Sequence, residues 1–266
     1  MSAIYIQVKQ TTTIAHKLRR ITFFSPDFTA IPDLFAGLHI KLFFKKENQP
    51  ALTLPTKEKG RVRWPEPHLK PIARTYSIYH FDALKKELTV DFVLHDAAGP
   101  ACDFARNAKI GDEIGFAGPG PVSLVNRQCE HFIFAADLSA LPAISSVIDS
   151  LGAQPHLQVF LELEEPTSAA ALIAEYLPNH AKNITITQQT FMPTNTLLDT
   201  VMSSITALKI EQTSITIAGE HESVVTLRDA VRQLGAPKDN VYAVPYWRHN
   251  QDEETYHQTR HNVMDS

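Results

Sequence analysis

The first half of the chain alternates between apolar and polar residues over short segments, which Pro, Gly and charged residues interrupt. These segments are rich in Val, Ile, Phe and Thr, a composition that favours strands over helices. The predicted elements are a short helix at 100–108 and strands at 3–15, 18–25, 37–45, 73–81, 87–95 and 112–117. Several short strands with little helix predict an antiparallel β-barrel or sandwich. The segment 47–70, rich in Pro and charge, is predicted to be an exposed excursion.

From about residue 130 the pattern changes to apolar runs that alternate with amphipathic segments. The predicted strands lie at 131–137, 156–164, 184–189, 214–220 and 240–247, and the helices at 139–151, 168–176, 196–208 and 221–234. This alternation predicts a small parallel α/β sheet with crossover helices. We therefore expect a barrel domain over 1–123, an α/β domain over 124–250, and a polar tail at 251–266 that is a terminal helix or disordered.

Composition limits the classes of partner and compartment. The chain has 266 residues and a net charge of −4, so it has no overall electrostatic attraction to nucleic acid or to an anionic membrane. Its N-terminus has no apolar signal core, and no apolar run reaches the length of a membrane span. Cys102 and Cys129 form no CxxC motif, which argues against a metal cage or an iron–sulfur cluster. We expect a cytoplasmic monomer.

The stretch KPIARTYSIYHF, residues 70–81, places polar and aromatic groups on a predicted strand. The guanidinium of Arg74 can bind a phosphate through two nitrogens, the ring of Tyr76 can stack on a planar heterocycle, and Ser77 can bind a ring edge. Period-two alternation puts Arg74 and Tyr76 on one face and Ser77 on the other. A half-exposed strand with an ordinary polar face has the same pattern.

Further motifs follow in a fixed order. In DFVLHDAAGPACDFA, residues 91–105, a strand ends at His95 and a Gly-Pro turn opens a short helix. Free backbone N–H groups near 99–103 then suit a pyrophosphate. Later motifs are GDEIGFAGPGP at 111–121, ADLSALPAI at 136–144, IAGE at 217–220 and PYWRHNQDEE at 245–254.

This ordered set closely resembles the siderophore-interacting protein family, FAD-dependent ferric-siderophore reductases of the ferredoxin–NADP reductase superfamily. The resemblance extends from KLRRITFFSPDF to YWR. It implies a Greek-key FAD-binding barrel, a Rossmann-like NAD(P)-binding-like domain, and reduction of siderophore-bound Fe(III) that releases iron in the cytoplasm. It also implies FAD as cofactor and NADH or NADPH as donor, with a reduced ferredoxin as the rival donor.

The resemblance implies a flavin site made from two strands, the start of the short helix and the tip of the parallel sheet. By position, its residues are Arg74, Thr75, Tyr76, Ser77, Asp91, Phe92, Val93, His95, Gly99, Pro100, Ala101, Cys102, Asp137 and Ser139. The family pattern assigns Arg74 to the pyrophosphate, Tyr76 to the isoalloxazine face and Ser77 to the ring edge. The site needs no catalytic acid, base or nucleophile, because the flavin mediates electron transfer.

Many ferric siderophores are anionic, so a local basic pocket would attract them. The candidate substrate-binding residues are Lys45, Lys46, Arg127, Trp247 and Arg248. Lysines and arginines at strand ends are also common as solvated surface charges, and Trp247 could equally pack the last strand.

Several positions depart from the family pattern. Tyr79 replaces an Arg, Cys102 a Ser, Phe104 a Trp and Pro245 a Gly. The second half also lacks a Gly-rich phosphate loop and a cluster of arginines for a 2′-phosphate. Two rival functions stay open: a general flavin or electron-transfer reductase of the same superfamily, and a flavin-less siderophore-binding protein. The close pair of histidines in HQTRH, at 257–261, lacks the glutamate of a zinc-protease motif, so no resident metal is expected.

Overall fold

A computed structural model describes residues 3–47, 49–59, 61–64, 66–95, 99–120, 124–152, 156–189, 196–206, 208–251 and 256. The chain forms two compact units, Met1–Val122 and Ser123–Ser266. Among the residues the structure describes, no helix has both the length and the apolar character needed to cross a bilayer. The predicted tail at 251–266 lies outside the described residues except for Gln251 and Tyr256.

The first unit is an antiparallel barrel. Its elements are β1 (Ile4–Ala15), β2 (Leu18–Phe24), β3 (His39–Phe44), β4 (Thr56–Glu58), β5 (Arg61–Arg63), β6 (Ile72–Asp82), β7 (Glu87–Val93), α1 (Pro100–Asn107) and β8 (Glu113–Ala117). Six strands close the barrel in the order β1-β2-β7-β6-β3-β8. The alternating pattern predicted these six strands, and the structure confirms an antiparallel barrel. Closure leaves the barrel without free strand edges.

Alternate residues of the six strands fill the barrel. Ile21 and Phe23 on β2 and Val90 and Phe92 on β7 are fully buried, as period two requires of a sheet with one face on a core. The helix α1 packs on this core through its apolar side, where the ring of Phe104 packs against the buried rings of Phe23 and Phe44.

The segment 47–70 is more ordered than an exposed excursion. The strands β4 and β5 pair as a two-stranded antiparallel hairpin. The Trp64 ring packs edge-on against Phe43, with ring centroids 5.9 Å apart, and the Tyr5 hydroxyl donates to the Leu52 carbonyl at 2.8 Å. These contacts anchor the segment to the barrel. Strands of three residues are too short for their alternation to be recognised in the sequence.

The second unit is a parallel α/β sheet, as predicted. Its elements are β9 (His131–Asp137), α2 (Leu141–Leu151), β10 (Leu157–Leu163), α3 (Ala169–Tyr176), β11 (Ile184–Gln188), α4 (Thr196–Ile205), β12 (Thr213–Glu220), α5 (His221–Gln233) and β13 (Val241–Trp247). The strand order is β11-β10-β9-β12-β13, and all four pairings are parallel. The apolar run of β9 is buried almost throughout because helices cover both faces of such sheets. The carboxyl ends of β9, β10, β12 and β13 lie side by side, and this edge carries the polar residues described below.

Candidate functional site

The register between β3 and β6 fixes where the predicted flavin residues point. Tyr76 lies opposite Ile40, and Ser77 lies opposite His39. Opposed residues of an antiparallel pair share one side of the sheet. Tyr76 is therefore on the side of the barrel core, to which Ile40 belongs, whereas Ser77 is on the other side. The two-sided arrangement inferred from the alternation is present.

The Tyr76 ring is half-buried and packs against Phe92 of β7, with centroids 4.5 Å apart and a tilt of 46°. Phe92 is fully buried, so its predicted role beside a flavin is limited to supporting Tyr76. Ser77 is 8% exposed. The support under Tyr76 holds its ring at a defined angle, which favours stacking on a planar ligand because less side-chain entropy remains to be lost.

The polar groups next to Tyr76 are held in place. Arg74 donates from Nη1 to the carbonyl of Ala73 at 2.8 Å. Thr75 accepts a hydrogen bond through Oγ1 from the ammonium group of Lys41, a residue that the sequence interpretation did not include. Strand alternation from His39 to Lys41 could have revealed it, because both residues face the same side as Ser77.

Asp91 is occupied by an ion pair. Both of its oxygens accept from Arg20, at 2.7 and 2.8 Å, and the Asp91 side chain is fully buried. The Arg20 guanidinium also lies over the Tyr79 ring, 3.4 Å from its centroid. Tyr79, which replaces the family's Arg, therefore stacks on an Arg from another strand. The carboxylate of Asp91 is fully buried and paired with Arg20, so a direct contact with a flavin does not follow from this geometry.

Cys102 of α1 is hydrogen-bonded to the backbone of His95. His95 and Cys102 join their segments, because the backbone N–H of His95 donates to Sγ at 3.3 Å and Sγ donates to the His95 carbonyl at 3.4 Å. The helix begins after Gly99, which has no side chain to cap the helix, so backbone N–H groups of the first turn suit an anion. Asp103 opposes that use, since its carboxylate accepts from the N–H of Gly99 at 3.3 Å.

The residues of the barrel fit FAD in the chemistry that they offer. Tyr76 supplies a supported aromatic ring, Arg74 supplies a guanidinium for the pyrophosphate, and Ser77 supplies a hydroxyl. Gly99 allows backbone to come close to phosphate oxygens at Ala101 and Cys102. Val93 and Pro100 line the ends of β7 and α1 without a polar side chain. The assignment of each residue to FAD stays a prediction.

The carboxyl edge of the parallel sheet carries three buried carboxylates: Asp137, Glu162 and Glu220, with 4%, 3% and 6% exposure. Asp137 accepts from the N–H of Ser139 at 2.8 Å, and Glu162 accepts from the hydroxyl of Ser223 at 3.2 Å. Glu220 caps α5 by accepting from the N–H groups of Glu222 and Ser223 at 2.6 and 3.4 Å. The chain's own carboxylates thus take N–H groups that would otherwise suit a phosphate.

Burial is the main cause of the raised pKa of two of these carboxylates, Glu162 and Asp137. It raises the pKa of Glu162 to about 7, with a further contribution from the charge of Asp137. Burial also raises the pKa of Asp137, against the hydrogen bonds from Ser139 and Trp247 that lower it. Gly219 permits the crowding, because a Cβ there would lie 2.6 Å from Oδ2 of Asp137.

The segment Trp247–His249 is attached to the same edge. Trp247 donates from Nε1 to Oδ2 of Asp137 at 2.7 Å, and the N–H of His249 donates to Glu220 at 3.2 Å. Arg248, between them, forms an ion pair with Glu222 at 2.7 Å. The structure therefore brings Trp247, Arg248 and Asp137 together. Ser139 shares Asp137 with Trp247, because its hydroxyl donates to Oδ1 at 2.5 Å.

The other candidate substrate residues are Arg127, in the second unit, and Lys45 and Lys46, in the first. Arg127 precedes β9 and donates to the carbonyl and hydroxyl of Ser150, at 3.2 and 2.7 Å, near the end of α2. It is at the amino edge of the sheet, opposite to Arg248, and this removes the reason for grouping the two. Lys45 and Lys46 follow β3 in the first unit, and Lys46 closes a turn with Gln49. Within the described residues, no cluster of three or more His, Cys, Asp or Glu can hold a metal ion.

Several contacts escaped the sequence interpretation because they join distant positions. Arg20 and Asp91 are 71 residues apart, and Trp247 and Asp137 are 110 apart. Tyr256, in the predicted tail, is 1% exposed and its hydroxyl lies 2.8 Å from Nδ1 of His221. Only the alignment of the strand ends in a parallel sheet could have indicated that Asp137 and Trp247 are neighbours.

The comparisons with known proteins identify the family. Residues 7–123 match the siderophore-interacting FAD-binding domain, and residues 129–250 match the siderophore-interacting protein model. The chain is 33% identical over 257 residues to the ferric vibriobactin reductase ViuB of Vibrio cholerae, and this alignment covers 95% of this chain and 92% of that protein. It is 33% identical over 113 residues to the NADPH-dependent ferric-chelate reductase of Escherichia coli K12, and this alignment covers 42% of this chain and 43% of that protein. The crystal structure of the siderophore-interacting protein SipS from Aeromonas hydrophila has 33% identity and a TM-score of 0.81, and covers 100% of this chain and 99% of that chain. The chain belongs to the siderophore-interacting protein family.

Proposed function

We propose that this protein is a cytoplasmic, monomeric, FAD-dependent reductase that converts Fe(III) in a siderophore to Fe(II). The observation that carries the proposal is the set Arg74, Tyr76 and Ser77 on β6, in a chain that matches both segments of the family. The named reductases ViuB and the ferric-chelate reductase support a reductase over a storage or binding protein. The barrel, at 1–123, would bind FAD, and the α/β domain, at 124–250, would receive the electron donor.

Reduction is sufficient to release the iron. A siderophore with hard oxygen ligands binds Fe(III) tightly and Fe(II) weakly, because the lower charge weakens each iron–oxygen bond. FAD, when bound, converts the two-electron hydride of a nicotinamide into single electrons. The chain's own residues then have to bind and orient: Tyr76 holds the ring plane, and Arg74 neutralises phosphate charge.

Arg248 and Trp247 are the proposed contacts to the siderophore, with Lys45 and Lys46 as further sources of positive charge. A guanidinium binds catecholate and carboxylate oxygens through two nitrogens. Arg248 is well placed for exchange with a ligand, because its side chain is 32% exposed and its partner Glu222 is 66% exposed.

NADH or NADPH is the proposed donor, and a reduced ferredoxin is the rival. The relative from Escherichia coli is named as NADPH-dependent, which supports a nucleotide. Charge distribution favours the rival: residues 1–122 carry 17 Lys and Arg against 12 Asp and Glu, whereas residues 123–266 carry 8 against 17. The acidic second unit would repel nucleotide phosphates, and the basic first unit would attract an acidic ferredoxin.

The test is an anaerobic titration of the reduced, flavin-loaded protein with iron(III) tris-catecholate. The proposal predicts that each equivalent of iron complex returns the flavin absorbance toward the oxidised spectrum and that a ferrous chelator captures the iron. Free flavin is the matched alternative acceptor, and faster oxidation by free flavin than by the iron complex would favour a general flavin reductase. A reduced protein whose spectrum does not respond to iron complexes would indicate a binding protein.

Two further experiments address the donor and the tail. Rates with NADH, NADPH and reduced ferredoxin identify the donor, and a chain ending at residue 251 tests whether the tail covers the site.

A further inference from the structure

The segment that carries Arg248 is fixed on both sides of this residue. On one side, the Trp247 indole is bound to the buried carboxylate of Asp137 at 2.7 Å. On the other side, the N–H of His249 is bound to the buried carboxylate of Glu220 at 3.2 Å. Buried hydrogen bonds to charged groups are among the stronger ones in proteins. The backbone at Arg248 is therefore held at the carboxyl edge of the sheet whatever its own side chain contacts.

The ion pair of Arg248 itself is of a different kind. Its partner, Glu222, is on the first turn of α5 and is largely exposed, and the Nη2–Oε1 distance is 2.7 Å. Exposed ion pairs contribute little stability, since water and salt screen them and both side chains lose freedom. A ligand anion can replace Glu222 at Arg248 without disturbing the hydrogen bonds on either side.

We propose that Glu222 is a specificity-determining residue, an internal competitor that an anionic ferric siderophore has to displace from Arg248. This inference rests on the proposed function. A neutral complex does not compete with Glu222 for Arg248, so the competition lowers the affinity for anionic complexes alone and narrows the margin by which Arg248 favours them over neutral ones. The weaker binding of anionic ligands helps the iron-free siderophore to leave.

The test is calorimetric titration of the flavin-loaded protein with gallium(III) tris-catecholate, which is trianionic and is not reduced. Glu222→Gln removes the competing charge and keeps a similar size, so the Kd for this complex should fall about two- to fivefold. The Kd for neutral gallium(III) tris-acetohydroxamate should not change. In an Arg248→Ala background, Glu222→Gln should lose its effect, since its partner is absent.

Glu211→Gln is the matched control. Glu211 is exposed and precedes β12, whereas Glu222 follows it, so the strand separates them by about 26 Å, beyond the Debye length. An equal gain with Glu211→Gln, an equal gain for the neutral complex, or a gain that persists without Arg248 would overturn the inference. Unchanged affinity in Arg248→Ala would also overturn it. In either case, reoxidation of the reduced flavin by the iron complex would still support the proposed function, because that readout does not depend on Glu222.

Discussion

Replacement of Glu162 by Gln should stabilise the second unit, and should do so more at pH 8 than at pH 5. Glu162 is buried at the end of β10, beside Asp137 and near Glu220, so its ionised form is costly in the folded state. Its pKa is raised from 4.5 to about 7, chiefly by burial. The folded state therefore holds a proton that the unfolded chain releases above pH 4.5.

The sign and size of the change in the free energy of unfolding follow from this difference in proton binding. Below pH 4.5 Glu162 is protonated in both states and does not destabilise the folded state. As the pH rises through about 7, the folded state progressively loses the stability that it has at low pH. A folded-state pKa of about 7 corresponds to a cost of about 3 kcal/mol at pH 8 and below about 1 kcal/mol at pH 5. The amide introduced by Glu162→Gln keeps an oxygen that accepts from Ser223 and cannot ionise. The gain in free energy of unfolding should therefore rise by about 2 kcal/mol between pH 5 and pH 8.

The assay needs a probe that reports on the second unit alone. Each unit carries one of the two tryptophans, Trp64 in the first and Trp247 in the second. In a Trp64→Phe background, urea unfolding followed by tryptophan fluorescence reports the free energy of unfolding around Trp247. The exposed Glu164, two residues further along the chain, gives the control Glu164→Gln. A pH-independent gain, or the same gain from Glu164→Gln, would refute the reasoning.

The remaining predictions concern stability at the two sites. Asp91→Ala should reduce the free energy of unfolding of the barrel by about 3 kcal/mol, because the largely buried guanidinium of Arg20 loses its carboxylate. Urea unfolding of a variant that retains only Trp64 measures this loss, and a loss below about 1 kcal/mol would contradict the prediction. Gly219→Ala should cost more than Gly235→Ala, since both have positive φ but only the new Cβ at 219 lies within 3 Å of Asp137. Equal decreases in the Tm of the two variants would show that the contact with Asp137 is unimportant.

The sequence was sufficient for the fold class, for the α-helices and for the strands of the barrel and the parallel sheet, because these depend on local periodicity. Alternation predicted the barrel strands, and apolar runs that alternate with helices predicted the parallel sheet. The hairpin of Thr56–Glu58 and Arg61–Arg63 was not predicted, because three residues give no readable period. The side-chain contacts at the strand ends were not predicted either, because register, which the sequence leaves open, decides which residues face each other.

The residues of the candidate site could likewise be predicted, but their contacts with distant residues could not. Arg74, Tyr76 and Ser77 could be selected because they are contiguous and their residue types suit a flavin. The capture of Asp91 by Arg20 could not be seen, because these residues meet only through the pairing of β2 with β7. No sheet edge was assigned to Arg127 from the sequence. Arg127 precedes β9 and lies at the amino edge of the parallel sheet, whereas Arg248 follows β13 at the carboxyl edge.

The central claim is that the barrel binds FAD through Tyr76 and Arg74. The most direct test is the visible absorbance spectrum of the purified protein, compared with that of Tyr76→Ala and Arg74→Ala after the same purification. The account predicts the absorption bands of oxidised flavin in the original protein, reduced occupancy in Tyr76→Ala, and a larger loss in Arg74→Ala, because a phosphate contact is removed. A colourless protein that does not take up added FAD, or full occupancy in both variants, would contradict it.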